Sequence, residues 1–379
     1  MRLGQTGSGT TPPREEPDLG ARRPMKVTIR DVALRAGVSV ATVSRVFNSS
    51  GPVREETRRR IREVARELQY VPDAAARSLT MRRTGAIGVI LPDLHGEFFS
   101  EVIRGIDQTA RQQDHHLLVS SSHNDRREIE AAVQAMRGRV DGLILMSPDL
   151  DALALAANLP ESLPVVLLNC AVEGTPFDAL NVDNFGGAGA AVRHLVARGH
   201  RRVGIINGAE RNYDAQERRR GYLAALRAAG VAPHESLEAA GNFTESAGYD
   251  GARALLAGSA RPTAIFAAND STAIGALSAI REEGLRVPED VAVVGFDDIP
   301  LARYMSPPLS SVRVPIFELG ARATRMLLEA VASKNQHQRR QELLPTTLVV
   351  RASCGGAQDT TDVNGTDLQV NGTNASGGV

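Results

Sequence analysis

Residues 28–48, TIRDVALRAGVSVATVSRVFN, decide how the N-terminal part of this chain folds. Ile29, Val32 and Ala33 recur at helical spacing and give a first helix one apolar face. Thr28 is placed to cap it, its hydroxyl accepting from a free backbone N–H of the first turn. Gly37 follows the apolar run, where a left-handed residue ends a helix. Val38 plugs the turn into the core, Ser39 caps a second helix, and Val43, Val46 and Phe47 form its buried stripe. Ala33 sits where the two helices cross closely. The outer face of the second helix keeps Val40, Ala41, Thr42, Ser44, Arg45 and Asn48. Short hydrogen-bonding side chains of this kind reach phosphates or base edges in a DNA groove, and Arg45 suits a forked contact to guanine or a phosphate pair. Alone, the pattern equally fits a helical hairpin with a solvated polar face.

Charge favours the groove. Residues 54–70 form a third amphipathic segment, with Ile61, Val64, Ala65 and Leu68 on one face and Arg58, Arg59, Arg60, Arg62 and Arg66 around the rest. Residues 25–83 hold 13 Lys and Arg against 6 Asp and Glu, a local +7. The whole chain holds 44 of each sign, so the remainder is −7. A basic head on an acidic body suits a polyanion, because neutralised phosphates release condensed counterions.

The quoted stretch, together with ELQYVPDAAARSL (67–79), HLVARGHRRVGIING (194–208), AAND (267–270) and VVGFDD (293–298), resembles the LacI/GalR family of transcriptional regulators over about residues 25–353. Arg54 departs from the family pattern, which has a Ser or Thr cap there, so a slightly frayed start to the third helix is expected. The resemblance implies a fold: an all-α helix-turn-helix DNA-binding head plus an α/β two-lobed body like the periplasmic binding proteins. It also implies that Thr28, Val40, Ala41, Thr42, Ser44, Arg45 and Asn48 face DNA. Val40 and Ala41 suit thymine methyls more than hydrogen-bond readout.

Pro72 biases Val71 away from helix, and residues 73–79 are too few to hold a helix alone. By composition they are a plain linker. The resemblance implies a hinge helix, ordered when two copies meet in the minor groove at the operator centre. Leu79 would wedge between the central base pairs with Ala76 packed near it.

A chain of 379 residues with 42% apolar content has room for two or three domains with substantial cores. Only Cys170 and Cys354 occur, which excludes a disulfide framework or zinc cluster. No run has the length and apolarity of a membrane span. Residues 1–24 are rich in Gly, Pro, Thr and charge and are expected to be a disordered extension, with Met25 the expected native start. Residues 354–379 are expected to be a disordered tail without leucine heptads. The expected organisation is a DNA-binding domain at 25–71, a hinge at 72–83 and an effector-binding and dimerisation body at 84–353. Lobe one takes 84–182 plus 313–345, and lobe two takes 183–312 plus 346–353. The expected location is the cytoplasm, and the nucleoid when bound to an operator.

From Thr84 onward short β-rich apolar runs alternate with amphipathic helices, the pattern of parallel sheets flanked by helices. Strands are expected at 86–91, 116–121, 142–146, 165–169, 179–182, 202–207, 264–267 and 291–296, with a helix over 183–199. Ligands of such sheets sit beyond the strand C-termini. Candidates there are Phe98, Phe99, Asn169, Arg218, Phe243, Asn269 and Asp297. Polar side chains fork to adjacent hydroxyls while rings cover an apolar face, which suits a sugar. The resemblance places Arg218, Asn269 and Asp297 on effector hydroxyls and Phe243 in the lining. Asn169 stands where a family member carries an acid. Phe99 is equally a core residue, Asp298 fits a helix cap, and for Asp270 the cap is preferred. Close helix–sheet packing explains Gly186, Gly187 and Gly189 better than a nucleotide loop.

No His, Cys or carboxylate spacing suits a metal, and no catalytic constellation or cofactor motif stands out. The expected partners are a pseudo-palindromic double-stranded operator, a small sugar-like effector and a second copy of the chain, with no membrane. A solute receptor with the same clamshell is disfavoured by the basic head and the lack of an export signal. A sugar-modifying enzyme is disfavoured by the lack of a nucleophile or acid/base pair.

Overall fold

The computed structural model describes residues 27–48, 51–71, 83–149, 159, 163–171, 175–333 and 337–356. They fall into two compact units that divide at Arg82. Expectations about Ala76, Leu79, the N-terminal extension and most of the tail lie outside the described residues.

The N-terminal unit holds α1 (Ile29–Ala36), α2 (Val40–Asn48) and α3 (Glu55–Glu67). Val32, Ala33 and Ala36 of α1, Val43 and Val46 of α2, and Ile61 and Ala65 of α3 form one small core, with Phe47 against Tyr70 edge-on at 5.6 Å. Gly37 ends α1 in the left-handed region (φ 62°), and the Val38 N–H returns to the Ala33 carbonyl at 3.0 Å. That closure needs a residue without a Cβ penalty. Thr28 opens α1 as its N-cap, in a capping box with Asp31. The Thr28 hydroxyl donates to the Asp31 carboxylate (2.7 Å), which also takes the Thr28 backbone N–H (2.8 Å). In such a box the hydroxyl can donate to the acid and still offer its lone pairs to the first-turn N–H. α3 starts at Glu55 with no side-chain cap bond from Arg54. It stops before the proline, at a left-handed Gln69, with the Tyr70 N–H bonded to the Ala65 carbonyl at 2.8 Å.

The second unit is built on two six-stranded sheets. The first holds β1 (Ala86–Leu91), β2 (His116–Ser121), β3 (Leu143–Met146), β4 (Val165–Leu168), β5 (Asp178–Val182) and β11 (Gln341–Leu344), in the order β11-β5-β4-β3-β1-β2. The second holds β6 (Val203–Ile206), β7 (Glu238–Ala239), β8 (Ala264–Ala267), β9 (Ala292–Asp297), β10 (Ser310–Arg313) and β12 (Thr347–Val349), in the order β12-β10-β9-β8-β6-β7. All pairings are parallel except β10 with β12. Helices cover both sheet faces, so β3 and β4 are buried along their whole length and read as unbroken apolar runs. The chain passes to the second sheet after β5, returns for β11, and passes back for β12.

In both sheets strand order reverses beside the first strand, between β1 and β3 and between β6 and β8, which opens a crevice at the strand C-termini. Four further strands escape a hydrophobicity pattern: β7 and β12 are short, while β10 (SSVR) and β11 (QELL) are polar. Ser310 and Ser311 in β10 are nevertheless fully buried. Their hydroxyls donate to the Arg351 carbonyl (3.0 Å) and the Asp270 carboxylate (2.6 Å).

Between the strands run α4 (Glu97–Arg111), α5 (Arg126–Met136), α6 (Asn184–Ala197), α7 (Tyr213–Ala228), α8 (Glu245–Ala257), α9 (Asp270–Glu282) and α10 (Ile316–Ser333). Helix pairs approach through glycines. A Cβ on Gly105 would overlap the Phe317 carbonyl, and one on Gly320 the Val102 carbonyl, so α4 and α10 meet backbone to backbone. A Cβ on Gly187 would strike Val312 and Phe296 of the second sheet, so helix–sheet packing accounts for that glycine, whereas a Cβ on Gly186 would meet the Asp183 side chain and one on Gly189 the Arg193 side chain.

Candidate functional site

The outer face of α2 is small and self-paired. Ser39 accepts the Thr42 N–H at 3.2 Å and its hydroxyl lies 2.9 Å from that of Thr42. The Asn48 amide donates to the Ser44 hydroxyl at 3.1 Å. Val40 is 41% exposed and Ala41 is exposed. The exposed Arg45 guanidinium has no partner among the described residues. These neutral pairs are weak enough to exchange for phosphate or base contacts. Arg30, Arg35, Arg59 and Arg60 add exposed positive charge to the same unit. The acids of α3 pair with part of the arginine set: Arg58 with Glu55 (3.3 Å), Arg59 with Glu63 (4.0 Å) and Arg35 with Glu67 (3.6 Å).

In the body, loops from the C-terminal ends of both sheets enclose a cleft of about 240 Å³. Six of the seven residues expected there line it: Phe98, Phe99, Arg218, Phe243, Asn269 and Asp297. Phe98 and Phe99 sit edge to face (5.4 Å) on the first turn of α4, and both also pack on the main core. The two possibilities for Phe99 are thus one position.

Arg218 organises the floor. It is 4% exposed. Its Nε donates to Asn184 Oδ1 (2.8 Å), one terminal nitrogen to the Ala268 carbonyl (2.6 Å), and the other to Asp297 Oδ1 (3.3 Å). The guanidinium lies 3.8 Å from the Phe296 ring centre and 5.7 Å from that of Phe243. Three of its five N–H groups are thereby committed.

Asn169 is the seventh candidate, and it does not line the cleft. It is buried, and its side chain hydrogen-bonds the Asp214 carboxylate. Asp214, absent from the sequence-based set, does line it, 8% exposed, and accepts from Asn184 Nδ2 at 2.8 Å. Its signal was present: Asp214 and Arg218 stand four apart on one helix face, where opposite charges meet. Asn212, Thr244 and Asn269 share another pattern. Each caps a helix, accepting from Ala215, Ala247 and Thr272 N–H respectively, while lining the cleft. The cap of α9 is therefore Asn269, not Asp270. Asp270 is fully buried and accepts from the Ile299 N–H (2.8 Å) and the Ser311 hydroxyl, tying β9 and β10 together. Asp298 caps no helix either, since Arg313 and Arg351 pair with it at 2.7 Å each.

Burial pushes the Asp297 carboxyl up to about 7, against the pull of Arg218, and the nearby Asp214 charge adds to the rise. Burial likewise pushes Asp214 up to about 6, opposed by Arg218, Asn184 and Asn169. One guanidinium shared with neutral acceptors does not compensate two desolvated acids. The backbone is strained at the same place. Asn169 (φ 48°), Phe243 (φ 69°) and Asp297 (φ 105°) adopt left-handed conformations, each an exception for a residue with a Cβ. Phe243 packs directly over Gly208, where any Cβ would overlap its ring. Strain of this kind, about 1–3 kcal/mol per residue, persists where the surroundings hold it and clusters at ligand sites.

Elsewhere the unused groups are structural. Cys170 is buried and its thiol, pushed up to about 12 by burial, donates to the Ser147 and Leu168 carbonyls. His194 lies 3.3 Å from the Cys354 sulfur and His200 3.1 Å from the Thr263 hydroxyl. Among the described residues no helix is long and apolar enough to cross a membrane.

A helix-turn-helix unit with a free basic residue on its outer helix, joined in one chain to a two-sheet clamshell around a polar cleft, defines a ligand-responsive DNA-binding protein. Comparison with known proteins makes this specific. Residues 28–73 match the model for bacterial regulatory proteins of the lacI family, and residues 192–354 match a periplasmic binding protein-like domain. The chain is 37% identical over 325 residues to the ribose operon repressor of Haemophilus influenzae, covering 85% of this chain and 97% of the relative. It is 36% identical over 337 residues to the transcriptional repressor PurR of Edwardsiella ictaluri, covering 87% and 97%. The lac repressor dimer bound to operator and the anti-inducer ONPF superimposes with a TM-score of 0.79 at 31% identity, covering 86% of this chain and 99% of that one. A LacI family regulator from Enterococcus faecium with bound ribose gives 0.64 at 28% identity, covering 71% and 98%. The chain belongs to the lacI family of bacterial regulatory proteins. It is a DNA-binding transcriptional regulator controlled by a small-molecule effector, and not an enzyme.

Proposed function

We propose that the protein is a homodimeric repressor whose operator affinity is set by a sugar or related metabolite held in the body cleft. The observation that carries this reading is the Arg218–Asp297–Asn184 network beneath Phe243. It is a preorganised polar floor with an aromatic wall, in a chain that also carries a helix-turn-helix head. Two copies of α2 enter successive major grooves of a pseudo-palindromic operator, their centres about 10 base pairs apart. Thr28, Thr42, Ser44, Arg45 and Asn48 supply the polar contacts, and Val40 and Ala41 the apolar ones. Residues 72–83 form the hinge, with Ala76 and Leu79 at the operator centre. The remainder divides into lobes at 84–182 plus 313–345 and 183–312 plus 346–353. Effector closes the lobes and biases the hinge. DNA and effector affinities are then coupled reciprocally, by about 1–3 kcal/mol in a typical switch. Phe98, Phe99, Phe243, Arg218, Asn269 and Asp297 contact the effector, and Asn169 acts through Asp214. The protein works in the cytoplasm, at the nucleoid when bound to its operator.

The test is a salt-dependent DNA retention assay on the full chain, with and without candidate sugars. Sequence-specific retention that one sugar alters supports the proposal, and turnover of that sugar refutes it. Asp297→Ala is expected to abolish the effector response while leaving operator binding intact. A normal response in that variant overturns the placement of the effector.

A further inference from the structure

The cleft also carries information about the charge of what it holds. Five carboxylates line it, from Asp93, Glu97, Asp214, Glu245 and Asp297, against the single guanidinium of Arg218 among the described residues. Arg218 is no ready anion receptor, because three of its N–H groups are bonded to Asn184, Ala268 and Asp297. The other source of positive potential in such a crevice is the N-terminal end of a helix. α4, α7 and α8 all begin at this cleft, and each carries an acid in its own first turn: Glu97, Asp214 and Glu245. Those acids complement the helix dipoles from within the protein, and Asn212 and Thr244 accept first-turn N–H groups of α7 and α8. Among the described residues His95 is the one imidazole at the exposed rim.

From this geometry we infer that the cleft selects an uncharged polyhydroxylated ligand and rejects its phosphorylated or carboxylated derivatives. This inference rests on the proposed effector role of the cleft and sharpens it. Hydroxyl groups both donate and accept, so they satisfy carboxylate oxygens and the two remaining Arg218 N–H groups together. A phosphate offers acceptors to a site already dominated by acceptors. The acids raised by burial, Asp214 and Asp297, do not change the balance, since Asp93, Glu97 and Glu245 alone outnumber Arg218. Glu97 adds a structural consequence. Its carboxylate accepts the Leu301 backbone N–H at 2.9 Å, joining the α4 end of one sheet layer to the segment after β9 of the other. Negative charge brought to the rim would meet this latch directly.

The experiment is titration calorimetry of the full-length chain with matched sets of free aldoses, ketoses, polyols and nucleosides, their phosphate monoesters and their amino analogues. A free compound is expected to bind, with its phosphate ester weaker by about 100-fold or more. A phosphate ester that binds as well as its parent overturns the inference while leaving a small-metabolite effector in place. An amino analogue preferred over its hydroxyl parent also overturns it, because the cleft would then be a cation site. If no compound of any set binds, both the effector reading and the inference fall. The paired variant Asp93→Asn, Glu245→Gln keeps both rim side chains isosteric and able to accept their present bonds from Leu94, His95 and Ser271. It is expected to narrow the free-to-phosphorylated gap by about 10-fold. An unchanged gap removes the rim carboxylates as its cause.

Discussion

The two units present their functional side chains in opposite states. On α2 of the head, Arg45 is exposed and without a partner among the described residues, and Thr42, Ser44 and Asn48 make only local neutral bonds. In the body, Arg218, Asp214 and Asp297 are nearly buried, with Arg218 bonded directly to Asp297 and linked to Asp214 through Asn184. The difference follows from the partner. Operator DNA is large and brings its own charge, so head residues can wait in water and form contacts on docking. A small ligand has few atoms with which to order a site, so its receptor must already be ordered, at the expense of strain and desolvation.

This contrast can be broken most severely at Arg218. Replacing it with methionine leaves two buried acids without their cation. The body is expected to lose about 3–5 kcal/mol of stability, measured by urea unfolding. A loss as small as that of a surface substitution would mean that the cleft is not preorganised by this residue. At Ile61, fully buried in the three-helix core, alanine is expected to remove about 2–5 kcal/mol from the head. Head amides should then lose exchange protection while the body keeps its unfolding midpoint; a parallel fall in the body would deny the units their independence.

Arg45→Ala sharpens the other side. Operator affinity should fall by about 10- to 100-fold, in line with about 1–3 kcal/mol for a forked base contact. Stability should move by no more than about 0.5 kcal/mol. Unchanged DNA affinity in a gel-shift titration would take Arg45 out of the interface.

The smallest effect is a pH slope. Asp214 and Asp297 have folded values of about 6 and about 7 against 3.8 for the free group. The folded body therefore holds protons that the unfolded chain has already released. Their contribution to stability is full below the unfolded value and is lost as pH rises through 6 to 7. His194 and His200, lowered by burial, act in the opposite sense near neutrality. The test is thus a comparison: Asp297→Asn should show a flatter fall in body melting temperature between about pH 5.5 and about pH 8 than the parent. Equal slopes would place the titrating group elsewhere.

Much of the fold was legible because its signals are local. Gly37 ends α1 by a conformational rule, and β1, β3, β4 and β8 are apolar runs of strand length bounded by loops. Legibility failed where burial is polar. Ser310 and Ser311 look like turn residues, yet they fill a central strand because Asp270 and the Arg351 carbonyl, 41 residues away, satisfy them. At the cleft, Arg218, Phe243, Asn269 and Asp297 could be found by their place after strands. Asp214 escaped because its i,i+4 partner was assigned without it. For Asn169, a position at a strand end does not say whether the side chain reaches the cleft or stays buried against other residues. The choice of Asn269 over Asp270 as a cap was equally beyond local pattern, since both are good caps and only the third dimension offers Asp270 a better pair of donors.

By itself, then, the sequence determined the helix-turn-helix, the alternation of strands and helices, and the charge split of +7 and −7, because propensity, periodicity and formal charge are properties of neighbouring residues and simple counts. Only the tertiary structure decided which carboxylates share Arg218, how far burial raises them, and which of Asn169, Phe243 and Asp297 accept a strained backbone. Those outcomes depend on distance and on exclusion of water between residues as much as 79 positions apart, and no local pattern encodes either.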